Sequence, residues 1–241
     1  MSDVYVFGNG IQVHRRDLLD WQVDRYTDAG NPNLHEPVEE AWLLRSFDCE
    51  RPPSPLFLDV GAGVGYYSLL IKKRWPDAVV VAFEPLPRHA DALVANCALN
   101  GLRVEDVAVV RAAVGPCSGR AAFVDRGYSS ALDAASDSDT ASTVEMRSLG
   151  DVVKQAGPVH LLKMDIQGAE LDVLTAAGDV LARHGVRHLV IGTHGESIHR
   201  GVRKLLSEAG YAIEMDDPSP PMQPDGLIVA ALRSPVASIE G

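Results

Sequence analysis

The 241-residue chain has no Cys-x-x-Cys pair, and its three cysteines, Cys49, Cys97 and Cys117, are widely spaced. Reduced thiols in a cytoplasmic protein are the simplest reading, and no local motif marks a catalytic cysteine. Basic residues are scarce as well. Lys and Arg number 22 against 33 Asp and Glu, a formal charge of −11. That balance argues against a large nucleic-acid footprint and against an anionic membrane surface. No apolar run approaches the ~20 residues needed to span a bilayer. The opening Met1-Ser-Asp-Val-Tyr5 lacks the basic and apolar regions of a signal peptide, so a cytoplasmic location is expected. No internal repeat is visible.

What is present is an ordinary soluble composition, 46% hydrophobic and 23% charged. The length suits one α/β domain over residues 1–241, with an N-terminal extension to residue 54 and a core from 55 onward. Tyr5-Val6-Phe7 and Ile11-Gln12-Val13 read as short strands around a Gly-Asn-Gly turn. Val38, Ala41, Trp42 and Arg45 recur at helical spacing, with Pro37 suited to the first turn. The proline-rich stretch Arg51 to Pro55 is a linker. Strands are expected at Leu56 to Val60, Ala78 to Phe83, Val107 to Val110, His160 to Met164 and His188 to Ile191. Helices between them are expected over Val64 to Trp75, Leu86 to Cys97 and Ala169 to Arg183. A further helix through Ile198 and Leu206 stops at Gly210 and precedes a strand pair, Tyr211 to Met215 and Leu227 to Leu232. About 116–158 the alternation breaks into a β-hairpin insertion (Ala121 to Val124 with Val144 to Arg147), a polar loop over Asp133 to Thr143, and a short helix from Leu149 to Gln155.

Between the first two core strands lies Asp59-Val-Gly61-Ala-Gly63-Val-Gly65, and Glu84 ends the second. Glycines there permit a tight turn and a ligand lying against the backbone. An acid at the end of the second strand accepts hydrogen bonds from both hydroxyls of a ribose. A dinucleotide site prefers Gly-x-Gly-x-x-Gly, which aims a helix N-terminus at a pyrophosphate. Here the spacing is one residue shorter and an acid precedes the first glycine, repelling phosphate and favouring a cation. Both features point to S-adenosylmethionine (SAM) and away from a nicotinamide cofactor. The alternation of elements fits a Rossmann-like, seven-stranded sheet with helices on both faces, whose ligands sit beyond the carboxyl ends of the strands.

The segments D-V-G-A-G-V-G-Y-Y-S-L-L (from Asp59), A-F-E-P-L-P (from Ala82), N-x-x-L-N-G-L (Asn96 to Leu102), A-A-V-G (Ala112 to Gly115) and L-K-M-D-I-Q-G-A-E-L-D-V-L (Leu162 to Leu174) together resemble the FkbM-type SAM-dependent methyltransferases. The similarity runs from about His35 to Tyr211, and the last segment is the most specific. Gly63, Ile166-Gln167 and Gly192 depart from the common family pattern, leaving the cofactor motif intact and falling chiefly on the acceptor side. The resemblance implies a class I SAM-methyltransferase fold. It also implies methyl transfer to a hydroxyl of a small-molecule or sugar-containing acceptor, often in natural-product or glycan biosynthesis, with S-adenosylhomocysteine (SAH) as product. A SAM-binding protein without transferase activity is the alternative, and homo-oligomerisation is left open.

On this reading Asp59, Gly61, Gly63 and Gly65 surround the methionine portion, with Tyr66 and Tyr67 beginning the next helix, one facing the cofactor and the other packing. Ser68 donates to the cofactor carboxylate, Glu84 holds the ribose, and Pro85 lies along the adenine. Arg111 and Ala113 supply adenine contacts, with a solvated surface arginine as the other reading of Arg111. Glu36 helps to close the site. Asp165 ends the fourth strand, at the methyl group, and is expected to orient an acceptor hydroxyl or accept its proton. His194 is a candidate general base or else a hydrogen-bonded structural histidine. Gln167, Glu170, Ser129 and Ser130 are the candidate acceptor contacts, although an acid such as Glu170 is also favoured in a first helical turn for its dipole alone. Lys163 pairs with one of the nearby acids. No dedicated metal site is expected; a divalent ion held by Asp165, His194 and Glu196 is the mechanistic rival. Glu84→Ala is expected to weaken SAM binding by about 1–3 kcal/mol through lost charge-assisted hydrogen bonds; unchanged calorimetric affinity would remove Glu84 from the ribose.

Overall fold

Alternating apolar residues along the central strands dictate the layering. In the computed structural model, which describes residues 3–124, 131–132 and 141–232, Phe57, Leu161 and Val190 face one layer and Leu58, Leu162 and Ile191 the other. Side chains that alternate and are buried on both faces define a sheet sandwiched between helices. That sheet has seven strands in the order β12-β13-β11-β10-β3-β4-β5. The strands are β3 (Leu56–Val60), β4 (Val79–Phe83), β5 (Ala108–Val110), β10 (Val159–Met164), β11 (Val186–Thr193), β12 (Tyr211–Asp217) and β13 (Gly226–Leu232). Neighbours from β5 through β11 run parallel. The strand β13 runs antiparallel between β11 and β12.

One face carries α2 (Pro37–Asp48) and α3 (Tyr66–Arg74), with α4 (Pro87–Leu99) continuing the same core. The other carries α5 (Leu149–Ala156), α6 (Glu170–Ala176), α7 (Gly178–Ala182) and α8 (Glu196–Glu208). The single helix expected over Ala169 to Arg183 is in fact two. Ala177 leaves helical geometry just before Gly178, where glycine weakens helix propagation, and the break lets both Val173 and Leu181 reach full burial.

The N-terminal extension is a small cap. Strands β1 (Val4–Val6) and β2 (Gln12–His14) form a hairpin, followed by α1 (Asp20–Thr27), which the sequence left unassigned. Asn96 of α4 and Asn100, which caps the C-terminus of that helix, dock it. Asn96 Oδ1 accepts the amide of His14 and Asn100 Oδ1 that of Gln12, both at 3.0 Å. Asn96 Nδ2 also donates to the carbonyl of Val64 at 3.0 Å, tying the cap to the glycine turn. The N-x-x-L-N motif is thus a bracket between cap and core.

The expected hairpin is present as β7 (Gly119–Val124) against β9 (Ala141–Ser148). It belongs to a larger sheet, because β6 (Ala113–Gly115) pairs in parallel with β9 and β8 (Ala131–Leu132) joins β7. Most of the polar loop expected over Asp133 to Thr143 lies outside the described residues. Among the described residues no helix is long and apolar enough to cross a membrane.

At the amino ends of β10 and β11, His160 and His188 are buried with rings 5.3 Å apart. Burial, the neighbouring His160 and Arg187 push the His188 imidazole down to about 4. A histidine held neutral in the fold charges more readily when unfolded, so its stabilising effect is full above about pH 6.5 and is lost as pH falls towards 4. Urea unfolding is expected to show stability falling across that window, by up to about 1.4 kcal/mol per pH unit for one proton. The His188→Leu variant should have a flatter profile; identical profiles would show that His188 does not control it.

Candidate cofactor and acceptor site

The carboxyl ends of β3, β4 and β10 open into a cleft of about 270 Å³, roofed by residues of α1 and by His35 and Glu36 just before α2. This is where a doubly wound sheet places its ligands. At one end, Glu84 is buried and locked by two backbone amides. Gly63 N donates to Oε2 and Leu86 N to Oε1, each at 2.9 Å. A carboxylate so held keeps lone pairs free for two further donors, as ribose hydroxyls require. Pro85, Phe83, Ala113 and Val114 continue this wall, so Pro85 and Ala113 lie where adenine contacts are expected.

Arg111 does not join them. Its guanidinium is half exposed and turns to Asp91 at 2.6 Å, because Ala112 and Ala113 run inward while Arg111 points to solvent. Asp59, Ser68 and Gly65 also lie off the cleft lining. Ser68 Oγ donates to Asp59 Oδ2 at 2.6 Å, and both side chains are buried behind the glycine turn. Burial raises the Asp59 carboxyl, opposed by Lys163 and the Ser68 bonds. Gly65 is required by packing, since a Cβ there would meet Leu93 at 2.5 Å. These three residues shape the turn from behind, in place of the direct ligand contacts expected of them.

Gly61 and Gly63 both have positive φ and both line the cleft, for different reasons. A Cβ on Gly61 would sit 1.9 Å from the backbone oxygen of Asp165, whereas one on Gly63 meets nothing within 4 Å. Gly61 is needed for β3 and the β10 loop to approach, and Gly63 keeps the space beside Glu84 open.

Tyr66 and Tyr67 both reach the cleft. Tyr66 is anchored by its hydroxyl to Glu40, with Asn9 donating to it at 2.8 Å. The Tyr67 hydroxyl lies 3.4 Å from Glu36, and its ring lies 5.1 Å from the Lys163 ammonium. Lys163 is buried between Glu39 at 3.9 Å and Asp165 at 3.7 Å. Burial disfavours its charge, but Asp165, Glu39 and Asp59 outweigh that and hold the ammonium protonated. Burial and then Asp165 push Glu36 up to about 7, against Lys163 and Arg25.

Asp165 lines the far side of the cleft beside Gln167, whose Nε2 donates to Oδ1 at 3.1 Å. Burial would raise its carboxyl, but Lys163, His194 and Gln167 bring it below the usual range, so it is ionised. His194 proves unsuited to the role of neutral base. Its Nδ1 bonds Glu170 at 2.8 Å, and Nε2 lies 3.1 Å from Asp225 and 3.6 Å from Asp165. Burial would lower its pKa, yet Asp225, Glu170 and Asp165 carry it up to about 10. At neutral pH it is an imidazolium that holds acids in place. Glu170, an expected acceptor contact, is fully buried, and its Oε1 takes the amides of Ile166 and Gly168 at 3.1 Å along with His194. It braces the loop carrying Asp165. Ser129 and Ser130 lie outside the described residues.

Asp165, Glu170 and His194 each offer a ligand atom within 4.8 Å of the others. The Glu196 of the metal alternative is instead exposed and paired with Arg200. A divalent ion among the three would have to displace the proton that joins His194 to Glu170.

The sequence marks the N-terminal region through Glu36 and the loop from Asp216 to Gly226 as segments that shape the pocket, without singling out Leu18, Trp21, Gln22 and Arg25 around and on α1, His35 before α2, or Asp225 between β12 and β13, all of which line the cleft. His35 is held neutral, down to about 3, by burial and then by Arg25 and Lys163. No motif marks them; Pro37 at the start of α2 was the nearest signal, placing Glu36 and its neighbours at a helix entrance. Gly61→Ala is expected to cost about 3 kcal/mol or more through clash and left-handed strain, and Gly63→Ala about 1 kcal/mol from strain alone. Equal unfolding midpoints for the two variants would contradict this division.

Residues 59–213 match the family model described as the methyltransferase FkbM domain. The chain is 28% identical to methyltransferase sdnD of Sordaria araneosa over 203 residues, covering 68% of this chain and 76% of that protein. It is 31% identical to the AMB antimetabolite synthetase AmbE of Pseudomonas aeruginosa over 181 residues, covering 59% of this chain and 8% of that much longer protein. Among solved structures, precorrin-6y C5,15-methyltransferase from Geobacter metallireducens superposes with a TM-score of 0.51 at 11% identity, covering 82% of this chain and 88% of that one, a likeness of fold. With more than half of its length matched, glycine turn included, the chain belongs to the FkbM family of SAM-dependent methyltransferases.

Proposed function

We propose that this protein is a cytoplasmic O-methyltransferase that moves the methyl group of SAM to a hydroxyl of a small-molecule or sugar-containing acceptor, in natural-product or glycan biosynthesis. The observation that carries this reading is Asp165, an ionised carboxylate on the cleft wall between the glycine turn and Gln167. It can accept the hydrogen bond of a hydroxyl and aim an oxygen lone pair at the sulfonium methyl, and positioning of this kind supplies much of the rate in such a transfer. As the O–CH₃ bond forms, the S–CH₃ electron pair returns to sulfur, leaving SAH. The methylated oxygen still carrying its proton is a strong acid, and an ionised carboxylate suffices to remove it. Lys163 and His194 keep Asp165 ionised, and Gln167 fixes its Oδ1. The acidic balance of the chain favours a small acceptor over nucleic acid. The antimetabolite synthetase among its relatives agrees with natural-product chemistry. The free cysteines Cys49, Cys97 and Cys117 suit a reducing compartment.

A metal-assisted variant of this reaction is favoured by the grouping of Asp165, Glu170 and His194, and EDTA separates the two. Isothermal calorimetry is expected to show SAM and SAH binding regardless of EDTA. Asp165→Asn should bind SAH within about twofold of the wild type and turn over at least about a hundredfold more slowly on a hydroxylated acceptor. Full activity in that variant would remove Asp165 from the reaction, activity lost with EDTA and restored by a divalent ion would establish the metal-assisted route, and absence of SAM binding would remove the reading altogether.

A further inference from the structure

Arg25 is a cation of the cleft whose hydrogen-bonding capacity is largely unmet. Its Nε and Nη1 are buried without a hydrogen-bond partner among the described residues. Its Nη2 reaches the carbonyl of His35 at 3.4 Å and lies 3.9 Å from Glu36 Oε1, close enough to attract but too far for a hydrogen bond. The guanidinium is held in place from two sides, its Cζ 5.7 Å from the ring of Trp21 and 5.4 Å from that of Tyr26. Buried donors without acceptors, here Nε and Nη1, cost free energy unless a ligand supplies them, and both Arg25 and Glu36 line the cleft.

The amino-acid end of SAM is a zwitterion, with a carboxylate and an ammonium on one carbon. Its complement is a cation beside a carboxyl that is not already joined to it, which is what Arg25 and Glu36 present; Glu36, pushed up to about 7, is drawn into its ionised form by an ammonium placed against it. Other cations nearby are unsuited to the carboxylate: Lys163 is engaged by Glu39 and Asp165, and His35 is neutral. The arrangement also has the right polarity along the cofactor. Glu84 marks the ribose, the glycine turn lies between, and Arg25 and Glu36 stand on the cap and its junction with α2. Resting on the reading of this cleft as the SAM site, we infer that Arg25 takes the α-carboxylate of the cofactor while Glu36 takes its α-ammonium. The cap is then part of the cofactor site, and SAM binding fastens α1 to the core.

The test compares three ligands by calorimetry: SAH, decarboxylated SAH, and 5′-methylthioadenosine, which lacks the whole amino-acid arm. Arg25→Met, which retains an apolar stem between the rings, is expected to bind SAH about ten- to a hundredfold more weakly than the wild type. It should bind decarboxylated SAH and 5′-methylthioadenosine as the wild type does, and the latter result certifies an intact adenosine end. Arg25→Lys should recover part of the loss, since a point charge replaces a planar fork. If Arg25→Met still prefers SAH over its decarboxylated form as strongly as the wild type does, the inference is overturned. Unchanged SAH affinity with a raised KM for the acceptor would also overturn it, by assigning Arg25 to the acceptor. Failure of the wild type to bind any of the three would remove the SAM site itself, a result distinct from either.

Discussion

A single buried ammonium organises the site. Lys163 lies on β10 in register with Asp59 on β3, is almost fully buried, and stands within 4 Å of both Glu39 and Asp165. Removing a cation and three acids from water is costly unless they compensate one another, and burial pushes the Glu39 and Asp59 carboxyls up. Asp59 on the sheet, Glu39 on α2, Asp165 at the end of β10 and the ring of Tyr67 on α3 all converge on that one lysine. Three separate elements are therefore indexed to a common point, and Asp165 faces the cleft in its ionised form because Lys163 stands behind it.

A second tier of polar contacts sets the loops around this centre. Glu170 gathers the amides of Ile166 and Gly168 and the ring of His194, and His194 extends the chain to Asp225. The end of β12, from which the loop carrying Asp225 leaves, is tied to α8 and β11: His199 bonds Thr193 at 2.7 Å and Asp216 at 2.9 Å, and Arg203 bonds Asp216 at 2.7 Å. Asp216, near the end of β12, is a fastening point. On the opposite side Asn96 and Asn100 fasten the cap. The cleft is thus bounded by segments of weak secondary structure, each tied by side-chain hydrogen bonds to a rigid helix or strand, an arrangement suited to loops that select ligands.

Much of the fold was legible because the central strands and helices obey strong local rules. Period-2 and period-3.6 patterns located nearly every core element, Pro37 and Gly210 marked real helix boundaries, and Glu84 stood where its strand end required. The errors share a cause. Arg111 is placed by its position at a strand end, where a one-residue change along the strand reverses the face a side chain presents, whereas Ser68, on α3, finds a buried acceptor in Asp59. His194 was judged by its ordinary pKa, which three surrounding carboxylates override.

By itself the sequence determined the architecture, the glycine turn, the acid that follows β4 and the acid at the end of β10, since each depends on residues close together in the chain. Tertiary structure alone decided what the charged groups do. Arg25 meets Glu36 across the cap junction, and His194 meets Asp165 and Asp225 from three separate loops, so their protonation and partners follow from distances of 3–4 Å across chain separations that no local pattern encodes. Coulombic interactions in a buried cleft act through space and scale inversely with distance, so the same residue types yield a base, a clamp or an inert pair according to the neighbours that folding supplies.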